Sequence, residues 1–257
     1  MVEPVETRWS RESRPPRLAY VRLPTAADLR GRIPDMNDGI IATAGVIEGF
    51  IAAGAGTDAL LAASIAATIA GAGSLGGVKY GEAAAERDAE LTVIAEEQRD
   101  IATSPEAEVR ELAVHFEEQG VTPDVAADVA RQISAHDALA AQLETEHGIR
   151  ERTPARAPFV AAFGGAAAFL LGGALPIAIV LLTPPNLRAI ATVAAVLISL
   201  TLTAIVTAQL GRSSVLRTVI RSIVVGALVL LLSVIAGSFL PDPDGGSVGA
   251  VAWGHEQ

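Results

Sequence analysis

The sequence predicts an all-α membrane protein with five transmembrane helices and a cytoplasmic helical domain inserted between helices 2 and 3. Three observations carry that reading. Of 257 residues, 51% are hydrophobic and only 19% are charged. Charged side chains are absent from four long stretches: 20 residues between Asp58 and Lys79, 31 between Arg156 and Arg188, 23 between Arg188 and Arg212, and 20 between Arg221 and Asp242. A helix of about 20 apolar residues is long enough to cross a bilayer. The acidity is concentrated elsewhere: residues 82–152 hold 18 acids against six arginines. This composition excludes a soluble enzyme, and the acidic field attracts cations and argues against nucleic acid as a partner.

Residues 1–30 are rich in Arg, Pro and Glu and lack periodicity, so they read as a disordered cytoplasmic arm. Without an apolar h-region they are not a cleavable signal peptide. Residues 31–81 hold transmembrane helices 1 and 2. The first runs from about Asp38 to Gly56 and is the least apolar, because Glu48 lies near its middle. The second runs from about Ala59 to Tyr80 and continues as a polar helix. Residues 82–152 form the acidic domain. Ser104 before Pro105 starts one of its helices and Gly120 stops it. Thr122, Pro123 and Gly148 repeat the device, with a break expected near His136. Residues 153–241 hold helices 3–5, at about Pro158–Leu182, Ala189–Leu210 and Thr218–Leu240, and residues 242–257 form an external tail.

With the N-terminus inside, 18 of the 19 basic residues fall on the cytoplasmic side, only Arg188 being outside. That is the positive-inside bias. It predicts a multi-pass protein of the cell (inner) membrane with a cytoplasmic acidic domain and an external C-terminus.

Zero cysteines exclude disulfides and thiolate metal sites. No phosphate-binding glycine loop or nucleophile elbow is present. Ionisable residues in spans are costly and have a pairing or functional reason. Three stand out: Asp38, Glu48 and Lys79. Asp38 and Lys79 sit at the inner ends of antiparallel spans and could pair. Glu48 is either a buried, protonated or paired acid, or a second acidic step above Asp38 along a cation path. In the acidic domain, Glu97 with Asp100, and Glu108 with Glu111, are i, i+3 pairs, each on one helix face. If the chain turns back at Ser104, the pairs can converge on a divalent ion such as Mn²⁺ or Fe²⁺. The alternative is a solvated acidic surface. His115, His136 and His147 lack metal-ligand spacing and read as surface residues. Gly45-x-x-x-Gly49 serves either a dimer contact or intrachain packing.

Several segments together resemble the vacuolar iron transporter family. MNDGIIATAGVIEGF is similar to its first-span signature and AGAGSLGGVKYGEAAAERD to its second. SPEAEVRELAVHFEEQGVTPDVAADVA and HDALAAQLETEHGI resemble its metal-binding domain, and PFVAAFGGAAAFLLGGALPI its third span. The resemblance covers about residues 30–240 and identifies a divergent, bacterial-type member. It implies a homodimeric exporter of Fe²⁺ or Mn²⁺ in the lipid bilayer, exchanging metal for protons, with no enzymatic activity and no resident cofactor. It implies Asp38 in the translocation path and Glu97, Asp100, Glu108, Glu111 and Glu146 as metal ligands. Three residues depart from the pattern. Leu75 and Gln142 stand where the family has methionine, and Lys79 where it has glutamate. Glu48 is an acid at an ordinarily apolar position and a second candidate for the path. Lys79 is expected to pair with Asp38 or, preferably, Glu82, three residues on along its helix. The departures also suit a non-transporting metal-binding or buffering protein, or a membrane-anchored interaction module.

Overall fold

A computed structural model describes residues 26–239. The expected external tail, and residues 1–25 of the expected arm, lie outside that range. The described residues form seven α-helices and one 3-10 turn, with no strand among them. They are α1 (Ala26–Ala52), α2 (Thr57–Thr103), α3 (Pro105–Glu118), α4 (Pro123–Thr145), α5 (Ala157–Leu182), α6 (Arg188–Gly211) and α7 (Val215–Ser238), with the 3-10 turn at Pro185–Leu187.

Four helical segments are long and apolar enough to cross a membrane: Thr57–Thr103, Ala157–Leu182, Pro185–Gly211 and Val215–Ser238. Helix α1 is not one of them, because Asp35, Asp38 and Glu48 lower its hydropathy. Among the described residues it already includes 26–30, the last five residues of the expected arm.

The chain divides into two compact units. One contains residues 26–80 and 159–239, the other residues 81–158.

In the first unit α1 packs against α6 and α7. Ile40 and Ala44 of α1 share a buried cluster with Val196, Leu200 and Leu230. Each is an aliphatic side chain on one face of its helix, the pattern that seals helix contacts. Arg30 near the start of α1 donates to the Leu210 carbonyl near the end of α6, 2.8 Å away, so the two helices run antiparallel. Helix α5 crosses α1 at backbone distance. A Cβ on Gly172 would lie 2.0 Å from the Met36 carbonyl oxygen, and one on Gly39 2.1 Å from that of Phe169. Small residues allow this approach where no hydrophobic force drives association in lipid. Thr43 of α1 and Thr68 of α2 share a buried 2.8 Å hydrogen bond. Phe163, Leu182, Ile190 and Leu216 face outward, as hydrocarbon-facing side chains do.

In the second unit α3 and α4 form a hairpin around Leu112, Ala113, Ala126, Ala130 and Ala141. Pro105 and Pro123 occupy the first turns of their helices, although the Ser104 and Thr122 side chains make no capping hydrogen bond. The break in α4 falls at Asp137, whose backbone is non-helical. Its Oδ1 accepts the Ala140 N–H at 3.0 Å and so caps the helix that resumes beyond it. Glu90 of α2 accepts hydrogen bonds from the Thr153 backbone N–H, at 2.8 Å, and from the Thr153 hydroxyl. These bonds tie the segment after α4 to the polar part of α2.

Candidate metal centre

The site is built where α4 ends. The Glu146 N–H donates to the Gln142 carbonyl and the Ile149 N–H reaches back to that of Leu143. This closure needs a left-handed residue, and Gly148 supplies it at φ +67°. The turn sets His147 beside Glu97 of α2, with Nε2 3.1 Å from Oε1 of Glu97 and 4.0 Å from Oε2 of Glu146. One ligand atom from each of Glu97, Glu146 and His147 lies within 4.8 Å of the other two.

Helix α3 brings further carboxylates. Gln142, 2% exposed, donates through its amide to the Glu108 backbone carbonyl at 3.0 Å and to Oε2 of Glu108 at 2.8 Å. Burial pushes the Glu146 carboxyl above its ordinary value. The negative charges of Glu111, Glu97 and Glu108 add to that rise, and His147 opposes it. A protonated acid relieves this crowding, and so does a bound cation.

Two oxygens sharpen the chemistry. Oε2 of Glu97 and Oε1 of Gln142 are buried without a hydrogen-bond partner. Unsatisfied buried acceptors are costly and call for a partner. A set of carboxylate oxygens, an amide oxygen and an imidazole nitrogen suits hard-to-borderline divalent ions such as Mn²⁺ and Fe²⁺.

The structure thus gathers Glu97, Glu108, Glu111 and Glu146. Asp100 is exposed and lies outside both the triad and the carboxylates acting on Glu146. His147 is the residue that spacing missed. Its signal was the Glu-His-Gly run at a helix end, where a left-handed glycine folds the preceding side chains back. His115 instead contacts Gln119 and the Phe116 ring, and His136 is exposed.

In the first unit, Asp38 is exposed and lines a cavity of about 240 Å³ together with Asn37, Ile41, Leu200 and Arg221. Glu48 is 3% exposed. Lys79 Nζ lies 3.8 Å from Oδ1 of the buried Asp35, a residue that is neither of the two expected partners, Asp38 and the preferred Glu82.

The sequence profile of the VIT family matches residues 29–238. A protein of Acanthamoeba castellanii named vacuolar iron transporter is 33% identical over 216 residues, which cover 84% of this chain and 79% of the relative. Vacuolar iron transporter 1 of Arabidopsis thaliana is 31% identical over 179 residues, covering 68% of this chain and 70% of the relative.

Proposed function

This chain belongs to the VIT family, and from that premise we propose that it exports Fe²⁺ or Mn²⁺ from the cytoplasm in exchange for protons. It is a multi-pass membrane protein of a transporter family. In this reading α1 joins the four apolar helices as a fifth span and the protein works as a homodimer in a cell (inner) membrane. The acidic unit faces the cytoplasm, an orientation supported by the arginine distribution.

The observation that carries the reading is the Glu97–Glu146–His147 triad, with the unpartnered buried oxygens of Glu97 and Gln142 beside it. Glu97, Glu108, Glu111, Glu146 and His147 capture the ion, with Asp100 as a peripheral acid. Asp38 serves the metal's passage through the membrane, and Glu48, the second acid of the path, serves the protons that move the other way. Asp38 sits at an accessible cavity, where a carboxylate offsets part of a divalent charge during desolvation. The Lys79 charge, which would oppose a cation's passage, has a counter-charge in Asp35.

The second reading, a metal-binding protein without transport, is favoured by Leu75, which supplies no ligand where the family signature has methionine. Calorimetric Mn²⁺ binding to the full chain in detergent, together with Mn²⁺ uptake into proteoliposomes, separates the two. The transport reading expects both from the wild type, and binding without uptake from Asp38→Asn. Binding without uptake in the wild type itself would establish the second reading.

A further inference from the structure

The membrane-crossing unit has three buried side-chain polar atoms without a hydrogen-bond partner among its described residues: Asn37 Oδ1, Glu48 Oε1 and Thr192 Oγ1. All three belong to the contact between α1 and the α6–α7 pair. At about 100° per residue, Asn37 and Ile41 lie within about 20° of Glu48 around α1, so the three share one stripe. Asn37 and Ile41 line the cavity with Leu200 of α6 and Val225 of α7. Thr192 continues the buried stripe of α6 that holds Val196, Leu200, Ala204 and Ala208.

Glu48 and Thr192 lie at the same height. Glu48 is 18 residues beyond Arg30 and Thr192 is 18 residues before Leu210, while Arg30 and Leu210 are hydrogen-bonded. Both are therefore about 27 Å from that bond along antiparallel helices. One turn nearer to it, Ala44 and Val196 pack in the same apolar cluster. On α7, Ser233 reaches this level: a Cβ on Gly49 would lie 3.1 Å from its carbonyl oxygen. A carboxylate and a hydroxyl, 3% and 0% exposed, thus lie at one height on neighbouring helices, above a plug of Ile40, Ala44, Val196, Leu200 and Leu230. Below the plug is the cavity of Asn37 and Asp38.

Among the described residues no fixed cation neutralises Glu48. It makes no ion pair among the described residues. α5 carries no charged residue, α7 none beyond Arg221, and α2 none between Asp58 and Lys79. On α6 the nearest charge is Arg188, one turn from Thr192, whose guanidinium is engaged with the Thr183 carbonyl and the Thr57 hydroxyl. On α1 the nearest is Asp38, ten residues away. Ionising a carboxylate in such surroundings is costly. The two groups are not hydrogen-bonded in this structure, and with the proton bound the Glu48 O–H can turn toward the Thr192 hydroxyl, neither having another partner among the described residues.

Resting on the transport reading above, we propose that Glu48 and Thr192 form the proton-loading site of this chain, on the side of the apolar plug opposite the Asp38 cavity. Glu48 takes its proton from water at the non-cytoplasmic end of the unit. It returns that proton, as hydronium, to water admitted from the cavity when the plug opens, and no other bond is made or broken. Thr192 positions the acid and stabilises its ionised form by donating its hydroxyl hydrogen.

Two measurements on the full-length protein test this. In proteoliposomes, Glu48→Gln is expected to keep Mn²⁺/Mn²⁺ exchange at symmetrical pH, which needs no net proton movement. Its pH-gradient-driven uptake, and the accompanying signal of an internal pH dye, should fall by about a hundredfold, the scale of a lost proton-transfer group. Glu48→Asp should restore part of both. Wild-type proton-driven uptake in Glu48→Gln would overturn the proposal, as would loss of exchange and uptake together in a folded variant. Wild type without any Mn²⁺ flux would instead remove the transport reading. Infrared spectroscopy then still decides the site. The wild type should show a protonated-carboxylic-acid band that Glu48→Gln lacks and that Thr192→Val shifts in frequency. Absence of that band, or its removal by Na⁺ at fixed pH, would overturn the proton site.

Discussion

Replacing Glu97 by glutamine should make the metal-free protein more stable and the metal-bound protein less so. The ligand atoms of Glu97 and Glu146 lie within 4.8 Å. At an effective dielectric near 20, two carboxylates at that separation repel by about 3.5 kcal/mol. Solvent at Glu146, whose side chain is 26% exposed, screens part of this, leaving about 1–2 kcal/mol. The introduced amide removes the repulsion and can donate to the Glu146 carboxylate. Its oxygen remains available to His147. With about 2–4 °C per kcal/mol for a chain of this size, Tm in chelator at pH 8 should rise by about 3–6 °C. Metal reverses the order. At a Mn²⁺ concentration about a hundred times the wild-type Kd, the wild type gains about 2.7 kcal/mol. A variant with about hundredfold weaker affinity, the scale for damage at a metal site, gains only about 0.4 kcal/mol. Thermal unfolding of the detergent-solubilised full chain, with chelator and with Mn²⁺, gives both numbers. Asp100→Asn serves as the control and should alter neither as much. A lower Tm for Glu97→Gln in chelator, or an undiminished Mn²⁺ shift, would refute the reasoning.

Further outcomes follow from other residues. The Glu146 pKa is raised in the folded protein, so the folded state holds that proton more tightly than the unfolded chain. Its contribution to stability is full below about pH 4.5 and is lost as pH rises through the folded pKa. Mn²⁺ should displace this proton, and calorimetry in buffers of different ionisation enthalpy should detect a release that Glu146→Gln abolishes. Gly172→Ala drives a Cβ against the Met36 carbonyl and should cost about 3 kcal/mol or more. Gly73→Ala, with nothing within 4 Å, should be neutral or up to about 1 kcal/mol stabilising through helix propensity. The two Tm values check this. Lys79→Glu with Leu75→Met recreates the family pattern but sets a carboxylate beside buried Asp35, so Mn²⁺ flux should not rise. A large gain would return Lys79 to Asp38 as its partner.

Local chemistry was legible and tertiary juxtaposition was not. Pro105, Pro123, Gly120 and Gly148 mark helix ends because each acts through its own backbone, and the helices begin and end there. Helical spacing selected Glu97, Glu108 and Glu111, since i, i+3 neighbours share a face in any helix. The Asp35–Lys79 pair was not readable, because a modest difference in helix rotation decides whether Asp35 or Asp38 meets the lysine. His147 was missed because its position depends on a left-handed turn after it, not on periodicity. Helix α1 is concealed from hydropathy by the three acids that make it interesting. Thr192 carries no signal until Glu48 is placed at its height.

Mn²⁺ or Fe²⁺ uptake into proteoliposomes of the purified full-length protein, measured with and without an imposed pH gradient, bears most directly on the proposed activity. The acidic interior stands for the non-cytoplasmic side. Metal should accumulate against its gradient when the interior is acidic, with the interior becoming less acidic as it does, and accumulation should cease when the pH gradient is collapsed. Metal bound to the protein without passing into the lumen, under either condition, would contradict the export reading and leave a metal-binding membrane protein in its place.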